Sequence, residues 1–256
     1  MNGLSSSGKE RIKSVVERLF DSIAFGLLGN IPSVRAKNTF WNAAAGIGLG
    51  HIFIEAMGNK RPNSLETDVL AGLLASSHGY IESIKHNTQS NIAEQVDGLV
   101  RQSQFGGEYV DESKVHEIIA NEMKKAKNQI KIVAESESTK IRNVGSVMDI
   151  SRKAAEKNIE DPNVFFIVVR DSHTCEYCKK NHINADGTPK VFKLSEIKQS
   201  YLSTEEKKSG EVSVCGAHPL CRCGLNFLSP NYGFKNGKLE YIANGHDEYE
   251  KQKSED

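Results

Sequence analysis

The sequence predicts a mainly α-helical N-terminal region followed by a small α+β module, which cysteine and histidine side chains hold together. Three observations support this fold class. Apolar residues recur at spacings of three and four through most of residues 10–157, as in amphipathic helices. The pattern changes at Val164–Val169, a short β-branched and aromatic run that predicts a buried strand. Beyond this run, cysteines and a histidine concentrate in two short segments within residues 175–223.

The helical region is divided by residues that disfavour helix. Breaks are predicted at Asn30-Ile31-Pro32, at residues 60–64 and at Gly106-Gly107. Asp111 or Ser113 can cap the helix that follows the last break. The predicted helices cover residues 10–29, 36–57, 65–101, 114–133 and 135–157. They end near Asp161-Pro162, because the residue before a proline disfavours the helical conformation.

Shorter elements are predicted after this break. The strands cover residues 164–169, 190–193, 211–214 and 224–228, with a small helix at 194–201 and an exposed loop at 204–210. The charged tail after Gly245 is predicted to be disordered. The organisation is therefore a helical arm (1–110), helices leading into the module (111–160), the Cys/His module (161–230) and a C-terminal extension (231–256).

Composition limits the function classes. The sequence has 33 basic and 33 acidic residues, so no strong overall field draws it to nucleic acid. The most apolar stretch, Thr39–Gly58, contains polar residues and falls short of the roughly 20 apolar residues of a membrane span, so no membrane contact is expected. The polar start, Met1–Lys13, is not typical of a signal peptide. The five cysteines are therefore expected to stay reduced and available to bind metal.

The two cysteine segments predict a metal site. The first is Cys175-Glu-Tyr-Cys178, and the second runs from Cys215 through His218 and Cys221 to Cys223. Two ligands separated by two residues reach one ion from a single turn, and a second such pair completes a tetrahedron. The simplest predicted site is a Zn²⁺ ion bound by Cys175, Cys178, His218 and Cys221.

Alternatives to this ligand set remain open at the level of the sequence. Cys223 could replace His218, Cys215 could be a spare thiol, and all five cysteines could be buried thiols without metal. Four protein ligands leave no open coordination position, so the predicted zinc is structural. The sequence also has no Pro-Cys-x-x-Cys element, and so no His-x-Glu that precedes one as in a zinc deaminase, and it has no glycine-rich phosphate loop. We therefore expect a protein that is not an enzyme.

Three motifs follow one another in the second half of the sequence. The first is Ala134–Ser138, followed by Lys140 and then by Asn143-Val144-Gly145. The second is a hydrophobic strand that leads into Asp171-x-x-x-Cys175-x-x-Cys178. The third is His218-Pro-Leu-Cys-Arg-Cys223, followed by an apolar strand. In this order the motifs resemble the phage head morphogenesis family, the minor head or minor capsid proteins typified by protein F of phage Mu.

The resemblance covers about residues 115–228 and implies a structural role in the virion. Glu135 stands where the family motif has arginine. Members of the family associate with the portal vertex and take part in head assembly, and in some phages in the packaging or ejection of DNA. The implied partners are the portal or the major capsid protein, with phage DNA as a second contact. The implied location is the virion, at the head interior or portal vertex and in several copies, and the host cytoplasm during assembly.

A second function class remains open. The alternative is a zinc-dependent nucleic-acid-binding protein or nuclease, with His173 or His182 near the metal. Such an enzyme needs an open metal position beside an acidic or histidine base. Residues 1–110 contain no motif that assigns a role, and the resemblance implies a helical arm that docks on the portal or the capsid.

Overall fold

The computed structural model describes Glu10, Ser14 and residues 49–107, 109–218, 220–235 and 238–242. Apart from Glu10 and Ser14, the predicted helix 10–29 lies outside these residues, as do the break after it and the charged tail. Of the predicted helix 36–57 only residues 49–57 are described, and residues 49–56 are helical. The predicted fold class is confirmed in outline, because the described chain is mainly helical with a small sheet region. It forms two compact units, of which one contains Ala71–Ala134 and the other contains Leu49–Leu70 and the chain from Glu135 onwards.

Two long helices account for most of the helical content. Helix α1 spans Ser64–Gly106 and helix α2 spans Glu112–Glu156, so the two predicted segments 114–133 and 135–157 join in a single helix. Within the first unit the two helices bury Ile92, Val96, Met123, Ala126 and Ile130 against one another. The spacing of these residues is that of the predicted amphipathic faces.

A three-stranded antiparallel sheet forms the centre of the second unit. Strand β1 (Asn163–Ile167) lies between β2 (Val191–Lys193) and β3 (Gly224–Phe227). The short helix α3 (Glu176–His182) lies between β1 and β2 in the sequence. Alternate side chains of β1 point to one face, where Val164 and Phe166 are fully buried. Strand β1 is therefore the predicted buried strand, although it ends two residues earlier, at Ile167.

Three predictions between β2 and β3 are wrong. The expected helix at 194–201 is only a 3₁₀ turn, Leu194–Glu196. The expected loop at 204–210 is the helix α4 (Thr204–Ser209), which Ser203 and Glu206 cap reciprocally at its start. The expected strand at 211–214 makes only an isolated bridge, from Ser213 to Lys198, because the chain turns at this point instead of joining the sheet.

The C-terminal extension contains a hairpin that the sequence patterns did not indicate. Strands β4 (Tyr232–Lys235) and β5 (Lys238–Tyr241) pair antiparallel. The ring of Phe234 meets Phe165 edge-on, at 4.9 Å between centroids, so the hairpin packs on the face of β1 opposite Phe166.

Helix α2 lies close to the helical segment 49–56 in the same unit. A Cβ atom at Gly145 would lie 2.8 Å from the carbonyl oxygen of Phe53, so only glycine allows this approach. Arg152 of α2 also pairs with Glu66, at 2.6 Å, close to the start of α1. These contacts fix the part of α2 that carries the first of the three motifs. Among the residues that the structure describes, none belongs to a helix long and apolar enough to span a membrane.

Candidate metal centre

The two cysteine segments meet because they are attached to neighbouring strands. The first segment follows the end of β1 and the second precedes the start of β3, and Ile167 pairs with Gly224 where these ends lie side by side. The antiparallel pairing thus places both segments at one end of the sheet. The long insertion between them, which includes β2 and α4, returns the chain to this point.

A capped turn positions the first pair of thiols. Cys175 is the N-cap of α3, and its sulfur accepts a hydrogen bond from the backbone N–H of Cys178 at 3.4 Å. The N-cap position requires an extended backbone, which Cys175 has, with φ −72° and ψ 153°. Both sulfurs consequently lie on the same side of the turn, as the Cys-x-x-Cys spacing predicts.

A tight backbone conformation positions the second pair. Gly216 has φ +84°, a left-handed conformation that favours glycine. A Cβ atom there would also lie 2.8 Å from the Cβ of Cys221, so the space excludes any other residue. The Cys221 N–H donates to the carbonyl of His218 at 3.1 Å and closes the turn. The N–H of Leu220, a residue with φ +66°, donates to Ser136 Oγ of helix α2 at 3.0 Å.

These turns bring six potential ligands into one cluster. Ligand atoms of Cys175, Cys178 and His218 lie within 4.8 Å of one another, and the same holds for a second group that shares Cys178. The Cys178 and Cys221 sulfurs are 3.8 Å apart. The structure therefore brings together all the ligands predicted from the sequence, including the alternative ligand Cys223. The full cluster consists of Cys175, Cys178, His182, His218, Cys221 and Cys223.

His182 is absent from the predicted ligand set. It forms the second group with Cys178 and Cys223. Its ring stacks on Phe166 at 4.4 Å between centroids, its side chain is only 2% exposed, and its Nδ1 atom has no hydrogen-bond partner. The signal was present in the sequence, because Cys178 and His182 are four residues apart and share one face of a helix.

The surroundings of Cys221 favour the thiolate form of this side chain. Hydrogen bonds from the Cys178 and Cys223 side chains lower the pKa of Cys221, and the backbone N–H groups of Cys223 and Ala217 also donate to its sulfur. The same interactions raise the pKa of Cys178, which keeps its proton beside the Cys221 thiolate. Burial lowers the pKa of His182 to about 4, so its imidazole is neutral near neutral pH. Thiolate and neutral imidazole are the forms that bind metal.

Two polar contacts outside the cluster hold the segments in place. The fully buried Asn143 of α2 donates from Nδ2 to the carbonyls of Val214 and Cys223, and its Oδ1 accepts from the N–H of Leu225, all at 3.0 Å. Arg222 pairs with Asp171 through two hydrogen bonds of 2.8 and 2.7 Å. This pair joins the first segment to the second across the cluster.

Two residues considered from the sequence have other positions. Cys215 is buried, but its sulfur points to the carbonyl of Gln199 at 3.6 Å, as expected of a spare thiol. Burial raises the pKa of this thiol. His173 is exposed and lines a cavity of about 20 Å³ that also borders Cys175 and His218. A volume of this order admits one water molecule or one ion.

The donor set fits a metal ion. Four sulfurs and two imidazoles converge, and the buried Nδ1 atom of His182 lacks a protein partner. Thiolate and imidazole ligands suit zinc and other soft or borderline metals, whereas magnesium and calcium prefer oxygen ligands. The fold and the site thus define a helical protein with a small α+β module whose Cys/His cluster could hold a metal ion. No family model, no curated protein and no solved structure matches the chain.

Proposed function

We propose that the cluster is a structural zinc site and that the protein is a minor head protein of a tailed phage. The observation that carries the proposal is the convergence of the three motifs. Asn143 from the first motif bonds the backbone at Cys223 in the third, and Asp171 from the second motif bonds Arg222 in the third. Residues that are far apart in the sequence thus form one connected unit.

Zinc is the proposed metal because of the ligand chemistry. Cys175, Cys178, His218 and Cys221 supply three sulfurs and one imidazole, which make a closed tetrahedral site. The 3.8 Å between the Cys178 and Cys221 sulfurs matches the edge of about 3.8 Å expected for zinc–sulfur bonds of about 2.3 Å. Such a site acts by joining segments of the chain, since its four protein ligands leave no position for a substrate.

A structural role in the phage head accounts for the two-part organisation. The long helices provide a docking surface for portal or capsid subunits, and the metal-bound module provides a rigid second contact. The protein then acts at the portal vertex, in several copies per virion, in head morphogenesis and in DNA packaging or ejection. The balance of 33 basic and 33 acidic residues supports protein as the first partner and DNA as the second.

Metal content tests the site. Protein purified without added zinc is analysed for bound metals, beside Cys175→Ser and His218→Ala variants and a Cys215→Ser control. We expect zinc in the wild type and in the control, and loss of zinc together with thermal stability in the two ligand variants. Well-folded wild-type protein without metal would overturn the zinc site.

Assembly tests the proposed role in the virion. The protein is co-expressed with the portal and capsid proteins of its phage, and the heads are separated with and without portal. We expect the protein to co-purify with heads that contain the portal, and co-purification with portal-free heads would contradict the portal-vertex role. Cleavage of DNA or RNA by the purified protein with Mg²⁺, Mn²⁺ or Zn²⁺ would favour the alternative, a nuclease in which His173 lies beside the metal.

A further inference from the structure

The cluster contains more ligands than one zinc ion can use. A tetrahedral ion takes four of the six, and the proposed site leaves His182 and Cys223 unassigned. Both side chains are buried, with 2% and 4% of their surface exposed. A buried imidazole nitrogen without a partner is unfavourable, so the unpartnered Nδ1 of His182 indicates that this ring has a ligand.

The ligands are arranged in two groups. Cys175, Cys178 and His218 form one group, and Cys178 with His182 and Cys223 forms the other. Cys178 therefore belongs to both, and the Cys221 sulfur lies 3.8 Å from it. Cys178, which the two groups share, and Cys221, whose sulfur contacts that of Cys178, are therefore the candidates for thiolates that bridge a pair of metal ions.

We propose that the cluster holds two tetrahedral metal ions bridged by the Cys178 and Cys221 thiolates. The first ion is completed by Cys175 and His218, and the second by His182 and Cys223. This inference rests on the proposed structural metal site and adds a second ion to it. Two four-coordinate ions that share two ligands need six ligands, the number that the cluster supplies.

The charges of the cluster support a second ion. If all four sulfurs bind as thiolates, a single divalent ion leaves two negative charges in a buried site, where uncompensated charge is costly. Two divalent ions balance the four thiolates, because both imidazoles bind as neutral ligands. Arg222, which lies between Cys221 and Cys223 in the sequence, is already paired with Asp171.

The distance between the Cys178 and Cys221 sulfurs suits two metal ions that share both of these ligands. The observed 3.8 Å between the Cys178 and Cys221 sulfurs is the edge of one zinc tetrahedron, and two tetrahedra that share this edge use both sulfurs. The spacing of His182 four residues after Cys178 places its ring beside the bridge, on the side of Phe166.

Metal stoichiometry of the full-length protein tests the proposal. Zinc per chain is measured by native mass spectrometry and elemental analysis for the wild type, for His182→Gln and Cys223→Ser, and for the matched control Cys215→Ser. We expect two zinc ions in the wild type and the control, and one in each of the other variants. One ion in the wild type, unchanged in His182→Gln, would overturn the second ion but leave the structural zinc site intact.

Cadmium substitution tests the bridge without any variant. In a cadmium-loaded wild-type protein, we expect two cadmium NMR signals, with the Cys178 and Cys221 β-protons coupled to both ions and the Cys175 β-protons coupled to one. A single cadmium signal would overturn the proposal even if His182→Gln fails to fold. Protein that binds neither zinc nor cadmium would overturn the structural metal site as well.

Discussion

Replacement of Asn143 by leucine tests how the module is held together. The side chain is fully buried and bonds three backbone groups, the carbonyls of Val214 and Cys223 and the N–H of Leu225. Leucine is close to asparagine in shape, so Asn143→Leu removes the hydrogen bonds while it leaves little empty space. The three backbone groups then remain buried without partners.

The expected loss of stability follows from these three groups. A buried polar group left unsatisfied costs about 1 to 3 kcal/mol, so three of them cost at least about 3 kcal/mol. This is a large part of the roughly 5 to 15 kcal/mol by which folded proteins are stable. With a denaturant slope of about 1 to 3 kcal/mol per molar urea, the unfolding midpoint of the variant should fall by about 1 M or more.

Urea titration followed by circular dichroism measures this loss. The matched control is Asn87→Leu, the same substitution at an exposed position of α1, which should change the free energy of unfolding by less than about 0.5 kcal/mol. If Asn143→Leu and the control unfold at the same urea concentration, the hydrogen bonds of Asn143 do not stabilise the module. Asn143 would then not be a residue that holds the motifs together.

Two further substitutions test the turns around the cluster. Gly216→Ala should destabilise the protein and weaken its retention of metal, because the added Cβ atom would lie 2.8 Å from the Cβ of Cys221. The control is Gly98→Ala on an exposed part of α1, which should stabilise the protein by about 1 kcal/mol in thermal unfolding. Asp171→Asn should speed metal transfer to a chelator. Hydrogen bonds from Arg222 lower the pKa of Asp171, so the wild-type pair is intact above the ordinary carboxyl pKa and is lost only as the pH falls below it. The variant should therefore differ from the wild type throughout about pH 5 to 8, and equal transfer rates there would contradict this role.

Local patterns in the sequence predicted the elements whose structure depends on nearby residues. Strand β1 follows from its run of β-branched and aromatic residues, and the first pair of thiols from the Cys-x-x-Cys spacing, which the N-cap at Cys175 realises. The helix α4 could also have been predicted, since Ser203 and Glu206 have the spacing of a capping box. The density of charged residues at 204–210 instead predicts an exposed loop.

Other features depend on contacts that no local pattern contains. Asn143 bonds residues 71 and 80 positions away, and asparagine in the middle of a helix gives no sign of such partners. The spacing of Cys178 and His182 indicates a shared helix face, but the burial of His182 depends on its stacking against Phe166 in the sheet. The segment 211–214 has strand composition, but its neighbours direct it into a turn, so tertiary contacts override its local preference.

The contacts around the cluster hold the second cysteine segment against the first segment and against helix α2. Cys178 and Cys221 are 43 residues apart, and closing a loop of this length costs about 4 kcal/mol of chain entropy at 25 °C on the estimate used for cross-links. The strands β1 and β3 are short, so their pairing alone gives little to offset this cost. The Asp171–Arg222 pair joins the same two segments and Asn143 joins helix α2 to the second of them, so their contributions and that of a bound metal are coupled and do not simply add. If a bound metal supplies a further link between these segments, its loss should weaken the pairing of β3 with β1, and this expectation is the physical reason to propose a structural role for the cluster.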